Sequence, residues 1–132
     1  MLSVRPIRDS EKEKELCKRE NICGGYDCIY LACEDDKEVG WMTVRQDGDR
    51  ILIITLEMFG CENYENMDME QAFLAELMVR STLVYAQNRF VDKIACADSR
   101  LFRFLERFKF DDADGIKEIA VEKMLNTCGG CH

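Results

Sequence analysis

The sequence has little proline, little histidine and no long apolar run, and each absence narrows what the protein can be. Proline occurs once, at Pro6, and histidine once, at His132, in a chain of 132 residues. No apolar stretch approaches the ~20 residues that a membrane-spanning helix needs, and the first residues contain no apolar segment of signal-peptide length. The sequence therefore predicts a cytoplasmic protein that does not bind membranes.

Basic charge is also scarce. Lys and Arg number 18 against 26 Asp and Glu, which gives a formal net charge of −8. A surface of this sign repels the phosphates of nucleic acids, so no nucleic-acid partner is expected and a cationic amine is favoured as a small-molecule ligand. The eight cysteines are expected to be free thiols, because a reducing cytoplasm disfavours structural disulfides.

The segment from residue 50 to residue 97 organises the rest of the chain. Arg50–Phe59 is a run of aliphatic and β-branched residues, which predicts a strand buried on both faces. Met69–Arg89 carries apolar residues at helical spacing without Pro or Gly, and Lys93–Ala97 predicts a short second strand. This order predicts a βαβ unit with right-handed connection and parallel strands.

The flanking segments predict short strands and two further helices. Leu2–Arg8 alternates apolar and polar residues, and Ser10 with Glu13 matches a capping box that opens a surface helix. Ser99 is expected to cap a late helix. The other expected elements are a hairpin of Cys28–Cys33 with Val39–Arg45, a turn at Asp111–Gly115 and a final strand at Ile116–Leu125, for which a helix is the alternative. The fold class is therefore α/β, with a mixed, mainly antiparallel sheet and helices on both faces, formed by residues 1–125 and followed by a cysteine-rich tail at 126–132.

This order of elements resembles that of the GNAT superfamily of N-acetyltransferases. The resemblance is carried by Val4–Ile7 as the opening strand, by Tyr30–Val44 as a hairpin with an acidic turn before Val-Gly, and by Asp98–Phe110 as the late helix. It implies that acetyl-CoA lies where the fourth and fifth strands diverge and that its pyrophosphate lies at the N-terminus of the long helix. The cofactor-binding residues that it implies are Leu56, Met58, Gln71, Ala72, Phe73, Leu74 and Asp98.

The chain departs from the family pattern at the phosphate loop and at the general acid. Ala72 and Leu74 occupy the positions where the resemblance implies glycine, and the loop at residues 61–68 adds three carboxylates. One of these, Asp68, is expected to be the N-cap of the long helix. The tyrosine that donates a proton in the family corresponds to a leucine, so Tyr85 and Tyr64 are the candidate substitutes. Core packing or loop anchoring is the favoured role for each of them. Glu57, near the end of the central strand, is the candidate base for an amine substrate, and a solvent-facing strand end is its alternative role.

The C-terminal Cys128-Gly-Gly-Cys131-His132 is the remaining motif. Two cysteines at this spacing with an adjacent histidine suit a metal ion, although a tail with two reduced thiols is favoured because no second Cys-x-x-Cys accompanies them. Two functions stay open. The chain is either a small GNAT-type enzyme that transfers acetyl from acetyl-CoA to an amine, or a non-catalytic GNAT-fold binding or regulatory module, with or without a metal at its tail. A homodimer formed through an edge strand is also left open.

Overall fold

The computed structural model describes the backbone of residues 1–129 and the side chains of residues 1–126. Within these residues the chain forms seven strands and four α-helices. The strands are β1 (Leu2–Pro6), β2 (Cys28–Glu34), β3 (Lys37–Asp47), β4 (Arg50–Met58), β5 (Lys93–Cys96), β6 (Asp111–Ala113) and β7 (Ile116–Ala120). The helices are α1 (Ser10–Glu20), α2 (Met69–Asn88), α3 (Phe102–Leu105) and α4 (Val121–Gly129).

All seven strands join one sheet in the order β1-β2-β3-β4-β5-β7-β6. β4 and β5 are parallel, and every other pair of neighbours is antiparallel. α2 connects β4 to β5, which confirms the predicted βαβ unit and the mixed, mainly antiparallel sheet. The centre of the sheet is therefore the place where one crossover helix separates two parallel strands.

β4 contains one extra residue near its middle. Thr43 pairs with Thr55 and the next residue, Val44, pairs with Ile53, so Ile54 has no partner and forms a β-bulge. Side chains alternate between the faces of a strand, and an extra residue reverses the alternation. The β4 residues in the main core are Ile51, Ile53, Leu56 and Met58. Because of the bulge, the odd-numbered residues before Ile54 and the even-numbered residues after it face the same core.

The helices cover both faces of the sheet, as predicted. Leu16 of α1 packs in a small cluster with three residues of β2 and β3, whereas α2 and α4 contribute to the main core on the other face. The N-cap of α1 is Asp9, whose side chain accepts a hydrogen bond from the Glu11 amide, so the capping box expected at Ser10 and Glu13 is not the cap. The helix begins at Ser10 because Asp9 satisfies one of its free amides.

The final strand, β7, is shorter than the strand predicted at Ile116–Leu125. β7 ends at Ala120, where the Val121 amide turns away and donates to the Asp92 carbonyl oxygen at 2.8 Å. Val121 and Met124 are both buried, and their spacing of three residues matches a helix rather than a strand. α4 continues to Gly129, so the first part of the expected tail is helical. The turn expected at Asp111–Gly115 includes a short strand, β6, as well.

No helix within residues 1–129 is long and apolar enough to cross a membrane.

Candidate functional site

β4 and β5 separate at one end of the sheet. Their ladder ends with Ile53 opposite Cys96, and the Ala97 amide donates one further hydrogen bond to the Ile53 carbonyl oxygen at 3.0 Å. Beyond this point β4 continues to Met58, while the other segment turns at Asp98 into a 3-10 turn. We call the junction between residues 56–58 and residues 98–100 the wedge. The main-chain pairing of the two parallel strands thus ends before Leu56, and side chains bridge the two segments beyond it.

Tyr64, from the loop between β4 and α2, closes one side of the wedge. Its hydroxyl donates to the Leu56 carbonyl oxygen at 2.8 Å and accepts from the Met58 amide at 3.3 Å. The same oxygen lies 3.2 Å from Oε2 of Glu57. One buried phenol therefore satisfies two main-chain groups on the β4 edge that β5 no longer pairs.

Arg100 closes the other side. Its Nη2 donates to the Leu56 carbonyl oxygen at 3.3 Å, and its Nη1 donates to Oε1 of Glu57 at 3.2 Å. The guanidinium also makes two bonds to Asp98, from Nε at 3.0 Å and from Nη2 at 2.8 Å. Asp98 in turn accepts from the Leu56 amide at 3.4 Å. Leu56 thus has partners for both of its main-chain groups within the chain.

The electrostatics of the wedge favour this closed arrangement. The Asp98 side chain is 8% exposed and the Arg100 side chain 45%, and their hydrogen bond raises the pKa of Arg100 above its ordinary value. Burial raises the pKa of Tyr64 to about 12, so its hydroxyl carries a proton at neutral pH. Burial also raises the pKa of the Cys96 thiol to about 12, which makes it a poor nucleophile.

The N-terminus of α2 is capped by its own side chains. Asp68 Oδ1 accepts from the Gln71 amide at 2.8 Å, and Gln71 Oε1 accepts from the Asp68 amide at 3.2 Å, which forms a complete capping box. The Ala72 amide is bonded to the Asp68 carbonyl oxygen; Phe73 is half exposed and Leu74 is buried. A surface hollow of about 520 Å³ at this helix end is lined by Gly60, Cys61, Glu62, Asn63, Asn66 and Gln71, with no basic side chain among them.

Comparison with known proteins identifies the fold. No protein-family model matches the sequence, and no curated protein matches it significantly. Among solved structures, the chain is similar to one in the KacTA–DNA complex, with a TM-score of 0.68 and 10% identity over 98% of this chain and 99% of that one. It is also similar to the putative N-acetyltransferase YhhK from E. coli bound to coenzyme A, with a TM-score of 0.61 and 15% identity over 91% and 98% of the two chains.

This chain has the GNAT fold. A third similar structure is a mutant AtaT toxin bound to the C-terminus of the antitoxin AtaR, with a TM-score of 0.65 and 7% identity over 100% and 99% of the two chains. The GNAT fold therefore occurs in proteins solved with coenzyme A, with DNA and with a protein partner. Because one neighbour is in a DNA complex, the fold does not exclude nucleic acid, and that expectation depends on the net charge of this chain alone.

The groups that the resemblance assigned to acetyl-CoA have hydrogen-bond partners within the chain, although a neighbour with this fold holds coenzyme A. Leu56 and Met58 are among the implied cofactor-binding residues, and the main-chain groups that they present to the wedge already have intramolecular partners. At the N-terminus of α2, the Gln71 amide donates its hydrogen bond to the Asp68 carboxylate and is not free for a pyrophosphate. Glu62 and the exposed loop around it add negative charge on the side where a diphosphate would need donors.

The structure brings only some of the predicted site residues together. Glu57, Leu56, Met58 and Asp98 all lie at the wedge. Tyr85 lies in the C-terminal half of α2, with its ring 6.4 Å from that of Tyr30, and the contacts of Glu57 are with Tyr64 and Arg100 instead. Of the two candidate tyrosines, the structure therefore brings Tyr64 to Glu57.

The predicted metal ligands were Cys128, Cys131 and His132, and they lie outside the described side chains. Within the described part of the chain, no group of three His, Cys, Asp or Glu side chains could hold a metal ion. The cysteines in that part, which include Cys96, are free thiols. A metal at the C-terminus stays a prediction.

Arg100 is the wedge residue that the sequence did not single out. It follows the end of β5 by four positions and sits in the first turn that Asp98 caps, where its amide also bonds to the Asp98 side chain at 3.2 Å. An arginine two residues after a capping aspartate, at the point where a parallel ladder ends, is a signal that can be read from sequence. Its partner Glu57 is 43 residues away along the chain, so the contact between the two side chains can be seen only in the folded structure.

Proposed function

We propose that this chain is a non-catalytic GNAT-fold binding module whose wedge is closed by its own side chains. The observation that carries the proposal is the hydrogen bonding of the free β4 edge. The Leu56 amide, the Leu56 carbonyl and the Met58 amide all have partners, supplied by Asp98, Arg100 and Tyr64. A thioester cofactor that pairs with this edge would have to remove those partners first.

The magnitudes favour the closed wedge. A hydrogen bond to a charged group contributes about 1.5–3 kcal/mol, and Arg100 makes such bonds to both Glu57 and Asp98. Arg100 is 45% exposed, so water recovers part of this energy when the side chain leaves. The remaining cost of even ~1.4 kcal/mol lowers affinity about tenfold. No glycine loop offsets it at the α2 N-terminus.

A protein partner is one of the ligand classes that the comparisons support, and it is the one that requires no opening of the wedge. The AtaT toxin structure, which has the same fold, holds the C-terminus of an antitoxin. A chain with this fold can therefore bind a segment of another protein. The closed wedge supports such a role because it stabilises the region that would otherwise have to open for a cofactor.

Ligand-dependent thermal unfolding tests the proposal. The melting temperature of this chain should not change with acetyl-CoA or coenzyme A at millimolar concentration. E. coli YhhK, whose structure holds coenzyme A, is the positive control under the same conditions. A ligand present at 100 times its dissociation constant stabilises by ~2.7 kcal/mol, a shift of roughly 10 °C for a domain of this size. A saturable shift in this chain would overturn the proposal.

A second candidate is an acetyl-CoA-dependent N-acetyltransferase, and one feature of the wedge favours it. Glu57 is 30% exposed and its carboxylate touches the protonated hydroxyl of Tyr64, so a base and a proton donor are adjacent. This candidate predicts thiol release from acetyl-CoA in the presence of cationic amines. Glu57→Gln should then lower the rate by about 100-fold or more. Absence of thiol release above the rate without protein would reject it.

Other expectations from the sequence stay proposals. They are the cytoplasmic location, an amine ligand, a homodimer, the lack of a nucleic-acid partner and the metal at Cys128, Cys131 and His132. Metal analysis of protein purified without chelator would test the last of these, because a bound ion would be stoichiometric.

A further inference from the structure

A groove separate from the wedge lies between the C-terminal half of α2 and the first two strands. Its volume is about 710 Å³. The residues that line it include Val4, Arg8, Asp27, Val84, Tyr85 and Arg89. We call it the Tyr85 groove. It mixes aliphatic side chains with donors, which is the composition typical of small-molecule sites.

Two arginines in the Tyr85 groove lack carboxylate partners. Acidic residues outnumber basic ones by 26 to 18, so carboxylates are plentiful on this surface. Most arginines of the described chain do form ion pairs, as Arg50 does with Asp47 and Glu118. Arg8 and Arg89 form none among the described residues. The positive charges of both arginines nevertheless favour the ionised form of the Tyr30 phenol. Their charges therefore converge on this groove.

Tyr85 supplies a third donor. Its hydroxyl oxygen is buried and no described residue accepts its proton, while the neighbouring Arg89 guanidinium favours the ionised form of the phenol. Burial raises the pKa of Tyr85, so the hydroxyl keeps its proton at neutral pH. The Arg89 guanidinium lies 4.4 Å from the centre of the Tyr85 ring, which holds the two donors side by side. A buried polar atom without a partner in a native fold calls for an explanation, and an acceptor from a ligand is one.

Asp27 limits the charge that the groove can accept. Its Oδ2 accepts from the Gln46 amide at 2.7 Å, so the carboxylate is fixed at the groove wall. Two guanidinium groups and one carboxylate leave one net positive charge. A monoanion is therefore favoured over a dianion such as a phosphate monoester.

We propose that the Tyr85 groove binds a small organic carboxylate with an apolar body. The planar fork of Arg8 or Arg89 matches a carboxylate with two parallel bonds, and Tyr85 donates a further one. Val4 and Val84, which is 58% exposed, provide apolar surface for the rest of the ligand. This site is independent of the wedge, so it adds a ligand class to the binding module without involving Glu57.

The experiment is a titration followed by NMR of the full chain, with benzoate as the probe. The arginine Nε–Hε signals of Arg8 and Arg89 should shift saturably with benzoate and not with the neutral analogue benzyl alcohol. Phenyl phosphate should bind more weakly than benzoate. Absence of saturable shifts at tens of millimolar benzoate, equal shifts with benzyl alcohol, or tighter binding of phenyl phosphate would overturn the proposal.

Variants keep the test specific. Arg89→Gln should weaken benzoate binding about 10- to 100-fold, since a charge-assisted bond is lost, and Tyr85→Phe should weaken it about fivefold or more. Arg45→Gln is the matched control, because Arg45 is exposed on β3, has no carboxylate partner among the described residues and does not line the groove. Equal weakening in the Arg45 variant, or unchanged affinity in both groove variants, would contradict the assignment.

Discussion

Replacing Arg100 with methionine tests whether the wedge is held closed by a partly buried charge network. Methionine keeps most of the length of the side chain and removes the guanidinium. The variant would lose the bonds from Arg100 to Glu57, to Asp98 and to the Leu56 carbonyl oxygen. Asp98, which is 8% exposed, would keep only amide donors. We therefore expect a large loss of stability for a single residue near the surface.

The size of the loss follows from the exposure of the two partners. Breaking a buried ion pair costs about 3–5 kcal/mol, because a charge is left uncompensated, whereas an exposed pair contributes about 0.2–1 kcal/mol. Arg100 and Asp98 lie between these limits, with side chains 45% and 8% exposed. We expect Arg100→Met to lower the free energy of unfolding by about 2 kcal/mol.

Arg103→Met provides the matched control in the same segment. Arg103 pairs with Glu65 at 3.1 Å, and the two side chains are 78% and 48% exposed, so its loss should cost about 0.5 kcal/mol or less. Urea unfolding at pH 7 followed by tryptophan fluorescence measures both, and a loss of 2 kcal/mol lowers the midpoint by about 1 M. Equal losses for the two variants, with unchanged slopes, would refute the idea that the wedge network is a stabilising feature.

Two further predictions concern the sheet beside the wedge. A Cβ at Gly40 would lie 2.5 Å from the Glu57 carbonyl oxygen, so Gly40→Ala should destabilise by about 1–3 kcal/mol, while Gly24→Ala, with open space around it, should be neutral in the same urea assay. Similar losses in both would contradict the close approach. Burial raises the pKa of Cys96 from 9.0 to about 12, so the folded chain holds this proton more tightly than the unfolded chain. Its contribution to stability is complete below about pH 9 and is lost as the pH rises through 12, so Cys96→Ala should flatten the alkaline fall in stability; an unchanged slope would contradict this.

The central elements could be predicted from sequence because their patterns are long and unambiguous. The apolar run at Arg50–Met58 and the uninterrupted helical spacing from Met69 each favour one structure. The error at Val121 has a physical reason. A short apolar segment fits a strand and a helix equally well, and burial of Met124 against the main core decides in favour of the helix.

The contents of the wedge could not be predicted in the same way. Tyr64 and Arg100 reach the Leu56 carbonyl oxygen from 8 and 44 residues away along the chain, and neither distance leaves a local pattern. The loss of the glycine loop was visible in the sequence, because Ala72 and Leu74 stand in place of glycines. The N-cap could be predicted as well, because an aspartate directly before an apolar helical run is a typical cap, and the Asp68 side chain accepts a hydrogen bond from the Gln71 amide.

The bulge at Ile54 also determines where this chain tolerates a change in length. Deleting Ile54 would leave a regular strand, because Thr55 would then follow Ile53 and the alternation of side chains would continue unbroken to Met58. Leu56 and Met58 would keep facing the core, and Glu57 would keep facing away from it. β5, where Lys93–Cys96 pairs with β4 without a bulge, has no spare residue, so the loss of one residue there would turn part of the strand over.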